Sequence, residues 1–568
     1  MLDIKSLILK TVEPSHILCR IEMDSTKKHL DNITHMQFYI TPLLLIIFIE
    51  LIRTAWICDD SAITIRSVLN FLHGFGPTFN IDERVQSFTH PLWFLLLAFV
   101  TGISKNIFFS IFFNSFVFSL LTAWLLIARL SISLWHAVLV SSALIFSKAY
   151  LDFSTSGLEN SLSHFLIVMC VAMSFQLSEK TSTLKHTVLI TLCSLLYLNR
   201  ADLILLVFPL VIYQCYCFRS NRKALALSIL VGLLPLVLWT FFSLFYYGFL
   251  FPNTAYAKLG SGIPRDELIH QGFRYFLNSI DQDPLTLSLI LMSLILGWKS
   301  SVESKMINLG ILLYLIYIVF IGGDFMSGRF FTAPFICACC VLARLNFPTQ
   351  GLRILTSISI ILGCLTLQAT LLSHSSYNSR TLGMTLNISD ERGIYYPDWG
   401  LLAAKPYTYQ SGDWGQERTR AITILCGLLG FSGLAQGPHV HFIDTCALAD
   451  PLLSKLSIEY TPQWRIGHFE RQLPDGYIES IKQNKNLIRD PQIKAYYDAI
   501  RLVTRGKLLD KQRLYTIIKL NLGLISQPKL LNLEQSSHQN HANPALILLQ
   551  QKNIEAFLPG SRVIDLSS

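Results

Sequence analysis

Residues 36–60 read MQFYITPLLLIIFIELIRTAWICDD, and this stretch decides the fold class. About twenty mostly apolar residues precede Asp59 and Asp60, which is the length that a helix needs to cross roughly 30 Å of hydrocarbon. A polar stretch, SAITIRSVLNFLHGFGPTFNIDERVQSFTHP at residues 61–91, follows the two acids. Paired carboxylates at the edge of a membrane repel each other and are costly to desolvate. The position of this pair therefore indicates a functional role.

Apolar blocks of similar length recur as far as residue 372. The chain of 568 residues is 52% hydrophobic and 15% charged, with a mean hydropathy of +0.45, whereas soluble proteins carry about 25% charged residues. We predict an α-helical polytopic membrane bundle of about eleven spans, followed by a C-terminal soluble domain of mixed α/β structure. The predicted spans are residues 37–57, 108–128, 134–150, 157–177, 186–199, 202–217, 225–246, 285–298, 306–322, 330–345 and 353–373. The predicted domains are an N-terminal cytoplasmic tail (1–36), a transmembrane domain (37–373) with a functional first outer loop (58–106), and a C-terminal domain (374–568).

The basic residues predict the orientation of the spans. The net charge of +9 comes from Lys and Arg residues in every second loop, which is a positive-inside pattern. Nucleic acid is therefore excluded as a partner. The pattern places the loop at 218–224 in the cytoplasm, and the first outer loop and the C-terminal domain on the opposite face. Counting residues 91–104 as a span would reverse this assignment, so we predict that they lie at the outer interface, with Trp93 in that interface.

Several polar segments, in their order along the chain, resemble those of one family. They are DDSAITIRSVLNFLHGFG (59–76), NIDERVQSFTHPLW (80–93), STSGLEN (154–160), YYGFLFPNTAYAK (246–258), GGDFMSGRF (322–330), FIDTCALADP (442–451) and RIGHFERQLPDGY (465–477). The chain resembles the polytopic GT-C glycosyltransferases that use polyprenyl-phosphate sugars, and within them the terminal arabinofuranosyltransferases of actinobacterial cell envelopes and their relatives in other bacteria.

The resemblance implies a fold, a location and two substrates. The fold is a GT-C membrane bundle in the bacterial inner membrane, with a periplasmic C-terminal domain. The donor is a polyprenyl-phosphate sugar, the acceptor is an envelope glycan or glycolipid, and membrane lipid surrounds the bundle. Arabinofuranose is the sugar that the resemblance implies, although a hexose is equally compatible with the chemistry.

Glycosyl transfer from a lipid phosphate needs a base that takes the proton of the acceptor hydroxyl. We predict Asp59 as this base, because partial desolvation and a neighbouring like charge make a carboxylate more basic. Asp60 would orient the substrate or bind a divalent cation. Alternatively, one or both acids cap a short amphipathic helix that begins at Ser61 and ends before Gly74.

The departing phosphate needs a cation, and the outer loops offer Arg329, Lys258 and Arg200. Arg329 lies in a glycine-rich segment that lets the backbone approach a ligand. A guanidinium can bind phosphate through two parallel hydrogen bonds. We predict Arg329 and Lys258 as phosphate contacts, with Arg200 as a further candidate. The alternative is that these cations anchor the loops at the membrane surface.

Four further polar residues are candidates for binding the acceptor or the sugar: Glu159, His90, Asn253 and Asp324. Glu159 could bind acceptor or a metal ion, or cap the next helix. His90 is a lone histidine, which is more often structural. Asn253 would serve first as a turn residue, and Asp324 could instead neutralise Arg329.

The predicted C-terminal domain contains two segments that read as strands. They are HVHFIDT at 439–445, and the start of ITILCGLLGFSGLAQG at 422–437, which continues into a Gly-rich turn. The glycines do not form GxGxxG, so no nucleotide site is predicted. Four residues could line a carbohydrate-binding cleft or merely hold a loop by local hydrogen bonds: Asp444, Asp450, Arg465 and His468.

Two of the twelve cysteines belong to this predicted domain. Cys426 and Cys446 could pair if the domain lies in an oxidising compartment. No CxxC or Cys/His spacing in the chain predicts a zinc site.

Two other functions fit a protein of this composition. A flippase or transporter of lipid-linked sugars would need ionisable residues within spans and a repeat of broken helices, for which the sequence gives little indication. A non-catalytic envelope-assembly protein would use the soluble domain to bind a partner.

Overall fold

The computed structural model describes residues 39–177, 182–259, 261–366, 371–372, 384–385, 387–403, 414, 421–462, 464–528 and 562–565. The tail expected at residues 1–36 lies outside the described residues. Helices dominate the described part as far as residue 366, and a small sheet with further helices follows. The helices of the first part are α1 (39–54), α2 (Asp59–Leu72), α3 (Pro91–Ser104), α4 (Ile107–Trp124), α5 (Leu134–Phe146), α6 (Lys148–Ser154), α7 (Asn160–Ser174), α8 (Thr183–Asn199), α9 (Ile204–Cys217), α10 (Arg222–Gly232), α11 (Leu234–Tyr246), α12 (Asn253–Leu259), α13 (Arg265–Gln282), α14 (Pro284–Gly297), α15 (Val302–Phe320), α16 (Thr332–Ala343) and α17 (Thr349–Cys364).

The C-terminal region, which here means the described residues between 384 and 565, is of mixed α/β structure. Its elements are β1 (Met384–Thr385), β2 (Ile388–Ser389), α18 (Glu391–Trp399), β3 (Ala421–Leu425), α19 (Leu429–Gln436), β4 (Val440–Asp444), α20 (Tyr477–Lys482), α21 (Pro491–Arg505), α22 (Lys511–Asn521) and β5 (Arg562–Asp565). A π-helical stretch, Leu125–Leu130, extends α4, and short 3-10 turns occur at Ala201–Leu203, Arg329–Phe331 and Leu453–Lys455.

Fewer helices than predicted meet the length and composition of a membrane span. Within the described residues, three helical segments are long and apolar enough: Ile107–Leu130, Arg222–Tyr246 and Val302–Phe320. Two bent pairs, α5 with α6 and α13 with α14, raise the number to five if each pair is one span. The other apolar helices have 10–17 residues, fewer than the roughly 20 that a perpendicular crossing needs. The structure therefore confirms a set of apolar helices, of which three to five are candidate membrane spans. The predicted number of eleven spans is not confirmed.

The segment at 91–104 forms α3, with the predicted bounds. Trp93, however, is fully buried, and its indole N–H donates to the carbonyl oxygen of Gly157 at 3.1 Å. The Trp93 ring is therefore packed against protein, and its place at the membrane interface stays a prediction. The ring fastens α3 to the segment before α7.

The two predicted strands of the C-terminal region are confirmed. β3 pairs in parallel with β4 and antiparallel with β5, so the strand order is β4-β3-β5. Because Cys426 follows β3 and Cys446 follows β4, the two cysteines lie at the same edge of the sheet. They form a disulfide with a Cα–Cα distance of 5.0 Å.

The Gly-rich segment after β3 forms helix α19, and the prediction of a turn is wrong. Its glycines serve close packing on α2: a Cβ atom on Gly430 would lie 2.0 Å from the backbone oxygen of Asp59. A Cβ on Gly433 would lie 2.8 Å from the Arg66 side chain. Local propensity favours a turn for such a sequence, but contact with α2 needs residues without side chains.

Arg66 locks this contact from the side of α2. Its buried guanidinium donates to the carbonyl oxygens of Phe79, Gly433 and Val440 at 2.8, 2.6 and 2.8 Å. The same group lies over the rings of Phe79 and Phe442. The C-terminal region is therefore packed directly against α2, the helix that carries the acid pair.

Candidate active site

The acid pair occupies the first turn of α2. The helix begins at Asp59 rather than at Ser61, and its N-cap is Cys58, with no hydrogen bond from a capping side chain. Neither acid is thus a cap in the predicted sense. Both carboxylates still lie at the positive end of the helix dipole, which favours negative charge.

Asp59 points towards α19. Its carboxylate accepts the amide hydrogens of Phe431 at 2.7 Å and of Gly430 at 3.3 Å. Burial raises the pKa of Asp59 to about 7; the two amides oppose this change and the Asp60 carboxylate adds to it. The side chain that the sequence favoured as base therefore binds the N-terminus of a helix in the C-terminal region.

Asp60 points to the other side, towards Arg329. Its side chain is 24% exposed, and one carboxylate oxygen lies 3.6 Å from Arg329 Nη1. This distance exceeds that of a hydrogen bond. Among the described residues, the Asp60 carboxylate therefore accepts no hydrogen bond, whereas the Asp59 carboxylate accepts two.

Arg329 lies among three carboxylates. Its guanidinium nitrogens are 3.6 Å from Asp60, from Glu159 and from Asp324. The residue begins a short 3-10 turn directly after Gly328, whose φ of +75° suits glycine. A second close approach occurs at Gly323, where a Cβ would meet the Tyr275 ring at 2.6 Å. These glycines let the 322–330 segment reach the acids of α2 and of the loop before α7.

Glu159 connects the rest of the cluster. Besides Arg329, its carboxylate contacts Arg200 at 3.4 Å and His90 Nδ1 at 3.3 Å. The other ring nitrogen of His90 lies 2.7 Å from the Thr64 hydroxyl of α2. Burial lowers the pKa of His90, while Glu159 opposes this effect. Glu159 makes no side-chain cap on α7, and its buried carboxylate forms ion pairs instead. Its binding of acceptor or of a metal ion stays a prediction.

Arg200 forms ion pairs with two carboxylates, those of Glu159 and Asp202. Its Nε donates to the two carboxylate oxygens of Asp202 at 3.0 and 3.2 Å. Asp202 also accepts a hydrogen bond from the Tyr314 hydroxyl at 2.7 Å. The guanidinium further lies over the Phe330 ring. Arg200 therefore connects Glu159 to Asp202 and to the Phe330 ring.

The opposite side of the cluster is basic and centres on Phe325. The Arg465 guanidinium and the Lys258 ammonium lie 5.1 and 5.9 Å from the centre of this ring, and the His468 ring lies 4.7 Å away. Phe325 directly follows Asp324, so the acidic and basic sides adjoin.

Glu391, at the start of α18, completes this side. Its carboxylate lies 4.0 Å from Arg465 Nη2. Burial raises the pKa of Glu391 to about 8; Arg465 opposes the change, and the carboxylates of Asp60 and Asp59 add to it. Glu391 is thus largely protonated at neutral pH.

Several predicted residues lie elsewhere or serve the fold. The Asn253 amide donates to the carbonyl oxygens of Ala447, Leu448 and Asp450, and its oxygen accepts from the Ser454 hydroxyl. The polar atoms of this side chain therefore hold the loop that follows β4.

Asp444 and Asp450 also hold that loop. The Asp444 carboxylate accepts three backbone amides, and the Asp450 carboxylate accepts two amides and the Tyr477 hydroxyl. Of the four residues considered for a carbohydrate cleft, Arg465 and His468 adjoin the acid cluster through the Phe325 ring. The local-hydrogen-bond alternative describes the other two.

Sequence reasoning missed Glu391 and Arg66. Nothing in the spacing around Glu391 distinguishes it from a surface acid, because its neighbours in space come from distant segments. Arg66 carried a weak signal, since a charged residue stood within the apolar pattern of α2. Within the described residues, no group of three His, Cys, Asp or Glu side chains could hold a metal ion.

The site therefore combines an acid pair on α2 with Arg329 and Arg200, in a protein rich in apolar helices. No protein-family model and no solved structure matches the chain. Curated relatives include the "Terminal beta-(1->2)-arabinofuranosyltransferase" of Corynebacterium glutamicum, 29% identical over 326 residues, which are 49% of this chain and 46% of the relative. The protein of the same name from Mycobacterium tuberculosis is 29% identical over 332 residues, 50% of this chain and 51% of the relative.

The chain spans about half the length of the curated relatives it matches. The resemblance predicted from the motifs is confirmed at this level: the chain is similar to arabinofuranosyltransferases. This similarity supports an enzyme of the glycosyltransferase class.

Proposed function

We propose that this protein is an integral membrane glycosyltransferase that moves a sugar from a polyprenyl-phosphate donor to an envelope glycan or glycolipid. One observation carries the proposal. The partly exposed Asp60 carboxylate stands beside Arg329, in a cluster built from the start of α2, the loop before α7 and the 322–330 segment. The similarity to arabinofuranosyltransferases supports the reaction class.

The reaction that this cluster suits is a direct displacement. The acceptor hydroxyl oxygen forms a bond to the anomeric carbon while its proton passes to a carboxylate, and the bond from that carbon to the phosphate oxygen breaks. The electron pair leaves with the polyprenyl phosphate, and the anomeric centre is inverted. Such a step requires a carboxylate base for the proton and a cation for the departing phosphate.

We propose Asp60 as the general base in preference to Asp59. The Asp59 carboxylate already accepts two amide hydrogens from α19, whereas the Asp60 side chain is partly exposed and its carboxylate lies 3.6 Å from Arg329. Asp59 would instead fix the start of α2 against the C-terminal region. Glu159, His90 and Arg329 would hold the base in position.

The proposed topology has about eleven spans, with the shorter helices crossing as broken pairs or where the bilayer is locally thinner. The acid cluster and the C-terminal region would lie on the periplasmic face of the inner membrane. The Cys426–Cys446 disulfide supports this placement, because disulfides persist in oxidising compartments. The names of the relatives favour arabinofuranose as the sugar.

The test is transfer by the purified full-length chain. A polyprenyl-phosphate arabinofuranose donor and an arabinan acceptor should give product with the unaltered protein. Asp60→Asn should reduce turnover by roughly 100-fold or more and leave the melting temperature nearly unchanged. Asp59→Asn should lower the melting temperature and reduce turnover less than Asp60→Asn does. Normal turnover by Asp60→Asn would refute the assignment of the base, and no transfer from any polyprenyl-phosphate sugar would refute the proposed function.

A further inference from the structure

Three nitrogen-bearing side chains surround Phe325 and have no part in the step described above. Arg465 and His468 come from the C-terminal region, and Lys258 comes from the end of α12. They converge although they are distant in sequence. Because Phe325 follows Asp324, they face the acid cluster from one side.

The backbone at Gly467, in the segment that carries Arg465, lies against both Lys258 and the Phe325 ring. Gly467 has a φ of +77°, and a Cβ atom on it would lie 3.4 Å from Lys258 Nζ and 3.3 Å from the Phe325 ring. The Lys258 ammonium therefore rests against the backbone two residues after Arg465. A side chain at 467 would intrude between the ammonium and the aromatic ring.

The charges of these two residues are less compensated than those of the other cations. Arg329 has three carboxylates around it and Arg200 has two. In the part of the chain that the structure describes, Lys258 makes no hydrogen bond or ion pair. Arg465 donates to the Ser389 hydroxyl at 2.6 Å, and its Nε is buried without an acceptor among the described residues.

Two of the titratable groups around Arg465, Glu391 and His468, are largely uncharged at neutral pH. Glu391 is the nearest carboxylate to Arg465, and it is largely protonated at neutral pH. Burial and the two cations hold the pKa of His468 at about 4, so its imidazole is neutral. Burial raises the pKa of Asp324, while Arg329 and Lys258 oppose this change. Asp324 is the adjacent acidic group, and Arg329 and Lys258 share it, so the positive charge of Lys258 and Arg465 is not balanced on this side of Phe325.

We infer that Lys258 and Arg465 together bind the phosphate of the lipid-linked donor, at a site that the C-terminal region completes. This inference rests on the proposed function and narrows it, since Arg329 and Arg200 then hold carboxylates and not phosphate. Arg465 offers a planar fork of donors and Lys258 a compact charge, a combination suited to phosphate oxygens. When the sugar leaves, the additional negative charge develops on the phosphate between these two cations.

Binding measurements on the full-length protein in detergent test the inference without requiring turnover. The probes are farnesyl phosphate, farnesol and inorganic phosphate, followed by calorimetry. Farnesyl phosphate should bind, and Lys258→Gln or Arg465→Gln should each weaken binding roughly 10- to 100-fold, as expected for the loss of a charged hydrogen-bonding group. Arg465→Lys should recover part of the loss, and Lys507→Gln, at an exposed lysine, should have no effect.

The outcomes distinguish a failure of the proposed phosphate site from a failure of the proposed sugar transfer. Unchanged farnesyl phosphate affinity in both glutamine variants, with melting temperatures near that of the unaltered protein, would overturn the inference even if sugar transfer is observed. Inorganic phosphate binding as tightly as farnesyl phosphate would overturn the lipid-linked source. Asp60→Asn should still bind farnesyl phosphate. Binding that depends on Lys258 and Arg465 in a protein that transfers no sugar would refute the proposed function and leave the phosphate site standing.

Discussion

Asp59 and Asp60 are adjacent in sequence, yet their carboxylates have different surroundings. One accepts amides of α19 and the other stands near Arg329. In a helix, successive side chains point about 100° apart, so neighbours can serve different partners. The sequence predicts that the pair matters, but it does not separate the two roles, because the amides of Gly430 and Phe431 reach Asp59 only through tertiary packing.

The protonation of Glu391 makes stability depend on pH. In the folded protein its pKa is about 8, against an ordinary value of 4.5. Between these values the folded chain keeps a proton that the unfolded chain has lost, so stability falls as the pH rises. Glu391→Gln should flatten this decline by up to about 1.4 kcal/mol per pH unit, as measured by unfolding in detergent between about pH 5 and pH 8.

The matched control is Glu479→Gln, since Glu479 is an exposed acid of the same type. Its curve should follow that of the unaltered protein. Asp59, with a pKa also raised, contributes in the same direction and remains in the Glu391→Gln variant. The curve of that variant should therefore be flatter and not flat, and identical curves for both glutamine variants would contradict the raised pKa of Glu391.

At the scale of elements, the contact of α19 with α2 places the acid pair. Gly430 lies against the backbone of Asp59, and Gly433 lies against Arg66. Gly430→Ala should force the two helices apart, lower stability by about 1–3 kcal/mol through overpacking, and weaken the amide hydrogen bonds to Asp59. Thermal unfolding and transfer activity should both report the change.

Gly102→Ala provides the matched substitution in another helix. The nearest atom to a Cβ at Gly102 is 3.8 Å away, in ordinary contact, and alanine favours a helix over glycine. This variant should be as stable as the unaltered protein or slightly more so. Equal behaviour of the Gly430 and Gly102 variants would contradict the close packing of α19 on α2.

The strands β3 and β4 were predictable because short apolar runs ended by turn residues indicate buried strands. Helix α2 was predictable from its apolar spacing and from Gly74, which has a φ of +84° just past the helix end. Helix α19 was not predictable, because three glycines in ten residues favour a turn locally. Glu391 and Arg465 could not be connected to the acid pair, since their contacts depend on how the C-terminal region packs against the 322–330 segment.

At the scale of the whole molecule, the proposed orientation puts the C-terminal region and the cytoplasmic loop at 218–224 on opposite faces. A site for a specific protease inserted at Asp475 should be cut when protease is added outside spheroplasts. A site inserted at Asn221 should be cut only after lysis. Both positions are exposed, so access depends on the membrane alone.

Cleavage of both sites from the same side would contradict the topology, and with it the periplasmic placement of the acid cluster. The Cys426–Cys446 disulfide gives an internal check on the same sample. It should persist in protein extracted with a thiol-blocking reagent present, because an oxidising compartment keeps such a bond.

The most direct test of the account is a structure of the full-length protein bound to a non-transferable polyprenyl-phosphate sugar analogue. The decisive distances run from the anomeric carbon to the carboxylates of Asp59 and Asp60, and from the phosphate oxygens to Lys258 and Arg465. The account predicts phosphate oxygens within about 3 Å of both cations and the anomeric carbon on the side of Asp60. A phosphate bound away from the Phe325 cluster, or an anomeric carbon facing Asp59 with Asp60 turned aside, would contradict it.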